Sequence, residues 1–147
     1  MLKKKNLVSI TFGLIIFSLG LLVGSGNNFT TTAQAQSNQV FELRTYTTYP
    51  GRLEALETRF RDHTVGLFER HGMTNIGYFV PQDAPLSDNT LIYILAHDSR
   101  EAAKENFSNF INDPDWKKVY KESHLEGPIV ENIESVFMDA TDYSDIQ

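Results

Sequence analysis

The sequence contains no cysteine. That excludes a disulfide framework, a thiolate metal site, a cysteine nucleophile and a lipoprotein anchor. The fold must be held by its core alone. Histidine is sparse as well. His63, His71, His97 and His124 show no H-x-x-x-H pair or other tight ligand spacing, so no metal is expected. The chain has no nucleophile elbow, no phosphate-binding loop and no dinucleotide fingerprint, and no cofactor is expected. Its carboxylates are scattered, without a pair assignable to glycoside or phosphate chemistry. Positive charge is also scarce. With Lys3, Lys4 and Lys5 set aside, 10 of the 13 basic residues stand against 19 acidic ones, a formal charge of −9. This balance argues against nucleic acid or an anionic lipid surface as partner, because both need a basic patch.

Long apolar runs are absent except for one. The uncharged stretch LVSITFGLIIFSLGLLVG (7–24) follows Lys3–Lys5, and a polar segment then ends in Ala33-Gln34-Ala35. Basic, apolar and small-residue regions in that order predict a signal peptide over 1–35 and a periplasmic or secreted product. The run is also nearly long enough to span a bilayer. The alternative is an uncleaved anchor over 7–24, which would be the only membrane contact. A polar linker (36–39), a domain over 40–144 and a short tail (145–147) complete the chain. A domain of this size has a modest core, and association of copies is one way to add burial.

Within the domain, VFELRTYT (40–47) reads as a strand, and Pro50 and Gly51 mark a turn. Leu53, Leu56, Phe60 and Leu67 repeat at helical spacing, with Gly72 as the stop. That stripe places His63 on the buried side. MTNIGYFVP (73–81) and TLIYILAH (90–97) read as strands around a loop rich in turn formers. Asp98 and Glu101 resemble a capping box that opens a helix carrying Ala103, Phe107, Phe110 and Ile111. The helix pauses at Asp113-Pro114, where Asp113 can cap and Pro114 can restart it; Trp116, Val119 and Tyr120 continue the stripe. After the break at 124–128, IVENIESVFM (129–138) is the last strand. The order β-α-β-β-α-β predicts an α+β, ferredoxin-like antiparallel sheet with both helical segments on one face.

Three segments together resemble a known family. FELRTYTTYPGRLEALETRFRDHTVGLFERHGM is similar to the opening of a NIPSNAP domain. TLIYILAHDSREAAKENFSNFINDPDWKKV and GPIVENIESVFMDATDYS are similar to its middle and end. The resemblance implies a dimeric α/β barrel, in which two ferredoxin-like sheets close against each other. Relatives in that larger group include cofactor-free monooxygenases, antibiotic-biosynthesis oxygenases and haem proteins. No catalytic residue set comes with the resemblance. The leader departs from the better-known members and argues against an intracellular trafficking role.

Strand alternation then suggests which face meets what. Phe41, Leu43, Ile92, Ile94 and Ala96 form an apolar set suited to lie under the helices. Their alternates are Glu42, Arg44, Tyr46, Tyr93, Leu95 and His97; with Ile133 and Phe137 of the last strand placed under the helices, Glu134, Val136 and Met138 join them in a mixed face. That face is too apolar for water alone and too charged for a dry core, where unpaired charge is heavily penalised. It is therefore expected to be the interface of a homodimer, with the charges paired. Arg44 on that face suits a bidentate carboxylate contact or an ion pair with Glu42 or Glu134.

His63 is the candidate acid/base or ligand-binding residue, facing a pocket between helix and sheet. The plainer reading is a core histidine bonded to a carbonyl. Tyr78 and Trp116 are candidate aromatic lining for a small-molecule site. Three functions are consistent with these residues. One is a homodimer binding a small, partly apolar molecule. Another is a cofactor-independent monooxygenase using His63, and the third is a protein-interaction scaffold. A cavity of a few hundred Å3 separates the first two from the third.

Overall fold

The computed structural model describes residues 39–146. The expected leader lies outside the described residues. Among the described residues no helix is long and apolar enough to cross a membrane. The elements are β1 (Val40–Thr48), α1 (Leu53–Arg59), a π-turn (Phe60–Thr64), α2 (Val65–Arg70), β2 (Thr74–Phe79), β3 (Thr90–His97), α3 (Arg100–Asn112), α4 (Pro114–Ser123) and β4 (Val130–Met138). The strands pair antiparallel in the order β2-β3-β1-β4, and the helices cover one face. This is the expected α+β, ferredoxin-like arrangement.

Local chemistry sets the element ends. The turn after β1 places Gly51 at φ 71°, which a side chain disfavours, and the Arg52 amide closes it on the Tyr49 carbonyl at 3.0 Å. Gly72, at φ 76°, ends α2 in the same way. Asp113 caps α4 by accepting from the Asp115 amide at 2.7 Å, with Pro114 in the first helical position. At the start of α3 the cap is Ser99, not Asp98. Its hydroxyl oxygen accepts from the Ala102 amide at 3.0 Å, while Asp98 stays exposed one position outside.

The helix after the first turn is where sequence periodicity misleads. Leu56, Phe60, Thr64 and Phe68 are all buried, so the inward stripe recurs every four residues. Three ordinary helical turns span about 10.8 residues, not twelve. The π-turn absorbs the extra residue: the Val65 amide reaches back to the Phe60 carbonyl, and the Thr64 hydroxyl donates to the Arg59 carbonyl at 3.1 Å. The wide turn hands the inward position to Thr64. His63, expected inside, is exposed.

The sheet register assigns the two faces. Glu42 lies opposite Leu95 and Phe137, and Arg44 opposite Tyr93 and Ser135, all on the helix side. Leu43 lies opposite Ile94 and Val136 on the other side. The apolar set of β1 and β3 therefore occupies the open face, and the mixed set of those strands lies beneath the helices, the reverse of the expected assignment. Ile133 and Phe137 of β4 are on the helix side as expected. Of the candidate dimer residues, Glu42, Arg44, Tyr46, Tyr93 and His97 are thus covered by the protein's own helices; Glu134, opposite Thr45, faces out. The core under the helices is largely aromatic. Tyr93 is fully buried, with the rings of Tyr46, Phe60 and Tyr78 at 5.3, 5.2 and 5.4 Å. Leu56, Phe68, Leu95 and Ile129 complete it, each burial worth about 1.5–3 kcal/mol.

The charge in this core is tolerated because it is paired. Glu42, 2% exposed, accepts from Arg44 Nη1 at 2.9 Å and from the Ser135 hydroxyl, and His97 Nε2 lies 3.2 Å from its other oxygen. The Arg44 guanidinium lies 4.4 Å over the Phe107 ring of α3. Burial alone would raise the Glu42 pKa. The bonds from His97 and Ser135, with the charge of Arg44, hold it below its ordinary value of 4.5.

Candidate ligand cavity

A cavity of about 360 Å3 lies between the helices and the β1–β4 half of the sheet. The sheet contributes Tyr46, Val130 and Ile133, and the π-turn segment contributes Arg59, Phe60 and Thr64. Phe68, Phe110, Trp116, Tyr120 and His124 supply the rest of the helical wall. The rings brace one another. Phe110 stands 4.9 Å from Phe68 and 4.4 Å from Trp116, and Trp116 stands 5.7 Å from Tyr120. An apolar container with few polar groups is the usual form of a small-molecule site.

The polar lining here is substantial: Arg59, Thr64, His124, Glu131 and Asn132, with Tyr46 and Tyr120. Arg59 comes from the last turn of α1 and is 5% exposed. Its Nη1 donates to the Ser123 hydroxyl at 3.4 Å, and its guanidinium sits 5.4 Å from the Trp116 ring and 6.0 Å from Tyr120. Burial pulls its pKa below the ordinary value against the nearby tyrosines. His124 donates from Nδ1 to the Tyr120 carbonyl at 2.6 Å, which leaves Nε2 as the free ring nitrogen. Glu131, also on the wall, is exposed.

The structure sorts the candidate residues. Trp116 lines the cavity. Tyr78 does not; it stacks on Tyr93, and its hydroxyl donates to the Asn75 side chain, so it serves the core behind the cavity. His63 lies outside, in surface grooves between the π-turn and α4 with Val119 and Glu122. His63→Ala is accordingly expected to shift stability by no more than about 0.5 kcal/mol and to leave ligand occupancy unchanged, measured by thermal unfolding and native mass spectrometry. Arg59 and His124 escaped sequence reasoning. The signal for Arg59 was available: it lies three residues after Leu56, on the inward stripe, where a charge is unexpected. His124 sits in a segment read only as a helix break.

The two ends of the domain differ chemically. In the Glu42 cluster, at the far end of β1, the carboxylate is bonded by Arg44, Ser135 and His97, while Arg44 Nε and His97 Nδ1 make no hydrogen bond. At the cavity end Arg59 pairs with no carboxylate among the described residues, and Glu131 on the same wall is exposed. At the rim between α2 and α4, Arg70 Nη1 lies 2.7 Å from Asp115, and His71 Nε2 lies 2.7 Å from Asp113, an arrangement that ties the two helical segments together.

With this geometry in place, the chain can be compared with known proteins. In solved structures its fold is similar to a NIPSNAP family protein of unknown function, Atu4242 from Agrobacterium tumefaciens. The two share 22% identity with a TM-score of 0.65, over 76% of this chain and 96% of that one. It is also similar to a NIPSNAP-like domain protein from Burkholderia xenovorans, at 16% identity and a TM-score of 0.64, covering 74% of this chain and 90% of that one. A more remote likeness is to the ActVA-Orf6 monooxygenase of Streptomyces coelicolor, solved with nanaomycin D, at 14% identity and a TM-score of 0.50 over 69% and 87% of the two chains. Comparison with curated proteins gives no match. The NIPSNAP family model matches residues 41–145, from the first strand through the tail. The residues that suggested the family and the fold they form agree, and the chain belongs to the NIPSNAP family.

Proposed function

We propose that this domain binds a small, partly apolar molecule in the cavity between its helices and sheet, as an exported homodimer. One observation carries the reading: a pocket of about 360 Å3, open to solvent on one side, is walled in part by aromatic rings that brace one another. The remote monooxygenase neighbour was solved with a small-molecule ligand, nanaomycin D, which is in keeping with a binding role for this fold. The oxygenase alternative loses its acid/base candidate, because His63 lies outside the cavity.

The dimer is proposed through the open sheet face. That face presents Leu43, Ile94 and Val136 in one row, with Val136 54% exposed and Phe79 55% exposed nearer the β2 edge. The tail after β4 folds over one end of it, where Ala140, Thr141 and Ile146 meet Phe41 and Met138. The remainder suits an isologous contact with a second copy. Export rests on the order of basic, apolar and small residues before position 36.

Native mass spectrometry of protein purified from its own host tests the binding and dimer parts together. Two subunits with a retained small molecule are expected. An empty, monodisperse monomer at micromolar concentration would overturn both. Val136→Arg, whose side chain touches no part of the cavity, is expected to yield folded monomer by light scattering. Sequencing of the native N-terminus tests export, and intact Met1 in a cytosolic fraction would count against it.

A further inference from the structure

We propose that the cavity is selective for an organic anion, specifically a carboxylate on an apolar body, with Arg59 as the charge-recognising residue. This rests on the binding reading above and deepens it.

The argument starts from the cost of burying a cation. A guanidinium removed from water needs either an opposite charge or a full set of acceptors. The other covered arginines of the domain obey this rule. Arg44 is paired with Glu42 at 2.9 Å. Arg52 pairs with Glu126 at 3.2 Å and lies near the Ser123 and Gly127 carbonyls. Arg59 is the exception. It is more deeply buried than either, yet among the described residues no carboxylate pairs with it; its buried Nε, like those of Arg44 and Arg52, makes no hydrogen bond. Its one hydrogen bond is long, to the neutral Ser123 hydroxyl. The two arginines also titrate in opposite directions. Burial lowers Arg59, whereas in Arg44 the effect of burial is outweighed by Tyr46, Tyr93 and Glu42, and the pKa is raised.

The position of this cation decides what would complete it. Arg59 lies on the cavity wall, held flat by Trp116 and Tyr120, so an anion entering the cavity meets a guanidinium already oriented. Planar guanidinium matches a planar carboxylate through paired N–H donors. The Ser123 hydroxyl stands beside it, and His124 lines the same wall. The rest of the wall, Phe60, Phe68, Phe110 and Trp116, is apolar and suits the body of the same molecule. Glu131, the wall's carboxylate, is exposed to water and makes no ion pair with Arg59.

The test uses octanoate, its neutral isostere octanamide, and octyl phosphate. Binding is followed by calorimetry and by the fluorescence of Trp116, the chain's single tryptophan. Octanoate is expected to bind at least tenfold more tightly than octanamide and to change Trp116 emission. Arg59→Gln is expected to remove that preference while changing octanamide affinity less than twofold, and Arg59→Lys to retain part of it. The unliganded Arg59→Gln protein is expected to melt no lower than the parent, since it no longer buries a lone cation. Should that variant fail to fold, the octanoate-to-octanamide ratio on the unmodified protein decides alone. Equal affinities would overturn the anion proposal and leave the cavity reading standing. Tighter binding of octyl phosphate would overturn the carboxylate assignment. Absence of binding by all three compounds would overturn the anion proposal and the cavity reading together.

Discussion

Glu42→Ala is expected to lower stability by about 3–5 kcal/mol, the usual result of removing one partner from a buried charge cluster. Among the described residues the carboxylate is the only anion in contact with Arg44 and His97, and without it the buried His97 and the largely covered Arg44 lose that partner. Glu42→Gln is expected to cost less, because it keeps an acceptor for Ser135. The pH dependence separates charge from shape. The native pKa of Glu42 is lowered, so the unfolded state takes up its proton first as the pH falls. The stability contributed by its charge is therefore full above the ordinary carboxylate range and is lost as pH drops through the depressed native value. The gap between the parent protein and Glu42→Gln should stay constant near neutrality and close only in acid. Urea unfolding at a series of pH values, at fixed protein concentration, reads this directly. A gap that instead closed near neutrality would show that the charge of Glu42 does not control the cluster.

Phe68→Ala is expected to be comparably severe, about 3–5 kcal/mol. Phe68 is 1% exposed and is the ring on which three elements converge. It meets Phe60 at 6.1 Å, Tyr93 at 6.0 Å, Phe107 at 5.8 Å and Phe110 at 4.9 Å. The fold already carries one cavity beside this side chain, and truncation would extend it into the packing between α2 and α3. Because those helices meet chiefly through these rings, the neighbours have little freedom to collapse into the gap. Phe68→Leu should recover much of the loss. Thermal unfolding of the two variants makes the comparison. A loss under 1 kcal/mol for Phe68→Ala would mean that the aromatic cluster repacks freely.

Element order, turns and the Asp113-Pro114 restart were legible because each depends on local chemistry that the residues announce. The face assignment was not. In β3, TLIYILAH is apolar on both sides, so its phase carries no information. In β1 the natural choice was to bury Phe41 and Leu43 and to send Glu42 and Arg44 outward. The fold reverses this because the ionic residues find His97 and Ser135 on neighbouring strands, partners that no single strand reveals. The apolar set of β1 is left on the open side, where a second copy is proposed to cover it. Ile111 is a smaller instance. It sits next to Phe110 on the expected stripe of α3, yet it is 54% exposed, because one turn of helix offers the core a single position there. A pocket between helix and sheet was expected around His63; the structure places it around Arg59 instead. Its wall draws on β1, α1, the π-turn, α2, α3, α4 and β4, a convergence that no single segment of the sequence reveals.

The π-turn has a consequence for how sequences of this kind are aligned. An insertion in a helix normally displaces everything downstream by about 100° and is selected against, or is pushed into a loop. Here a single added residue is accommodated in the hydrogen-bonding ladder, with the Val65 amide bonded to the Phe60 carbonyl. The helix therefore consists of two reading frames joined at 60–64, and each frame keeps its own inward residues. A relative without the extra residue would place its counterpart of Phe68 correctly only if an alignment gap were opened inside the helix, where alignment methods are least willing to put one. Positions compared without that gap would pair Thr64 with an outward residue and His63 with an inward one.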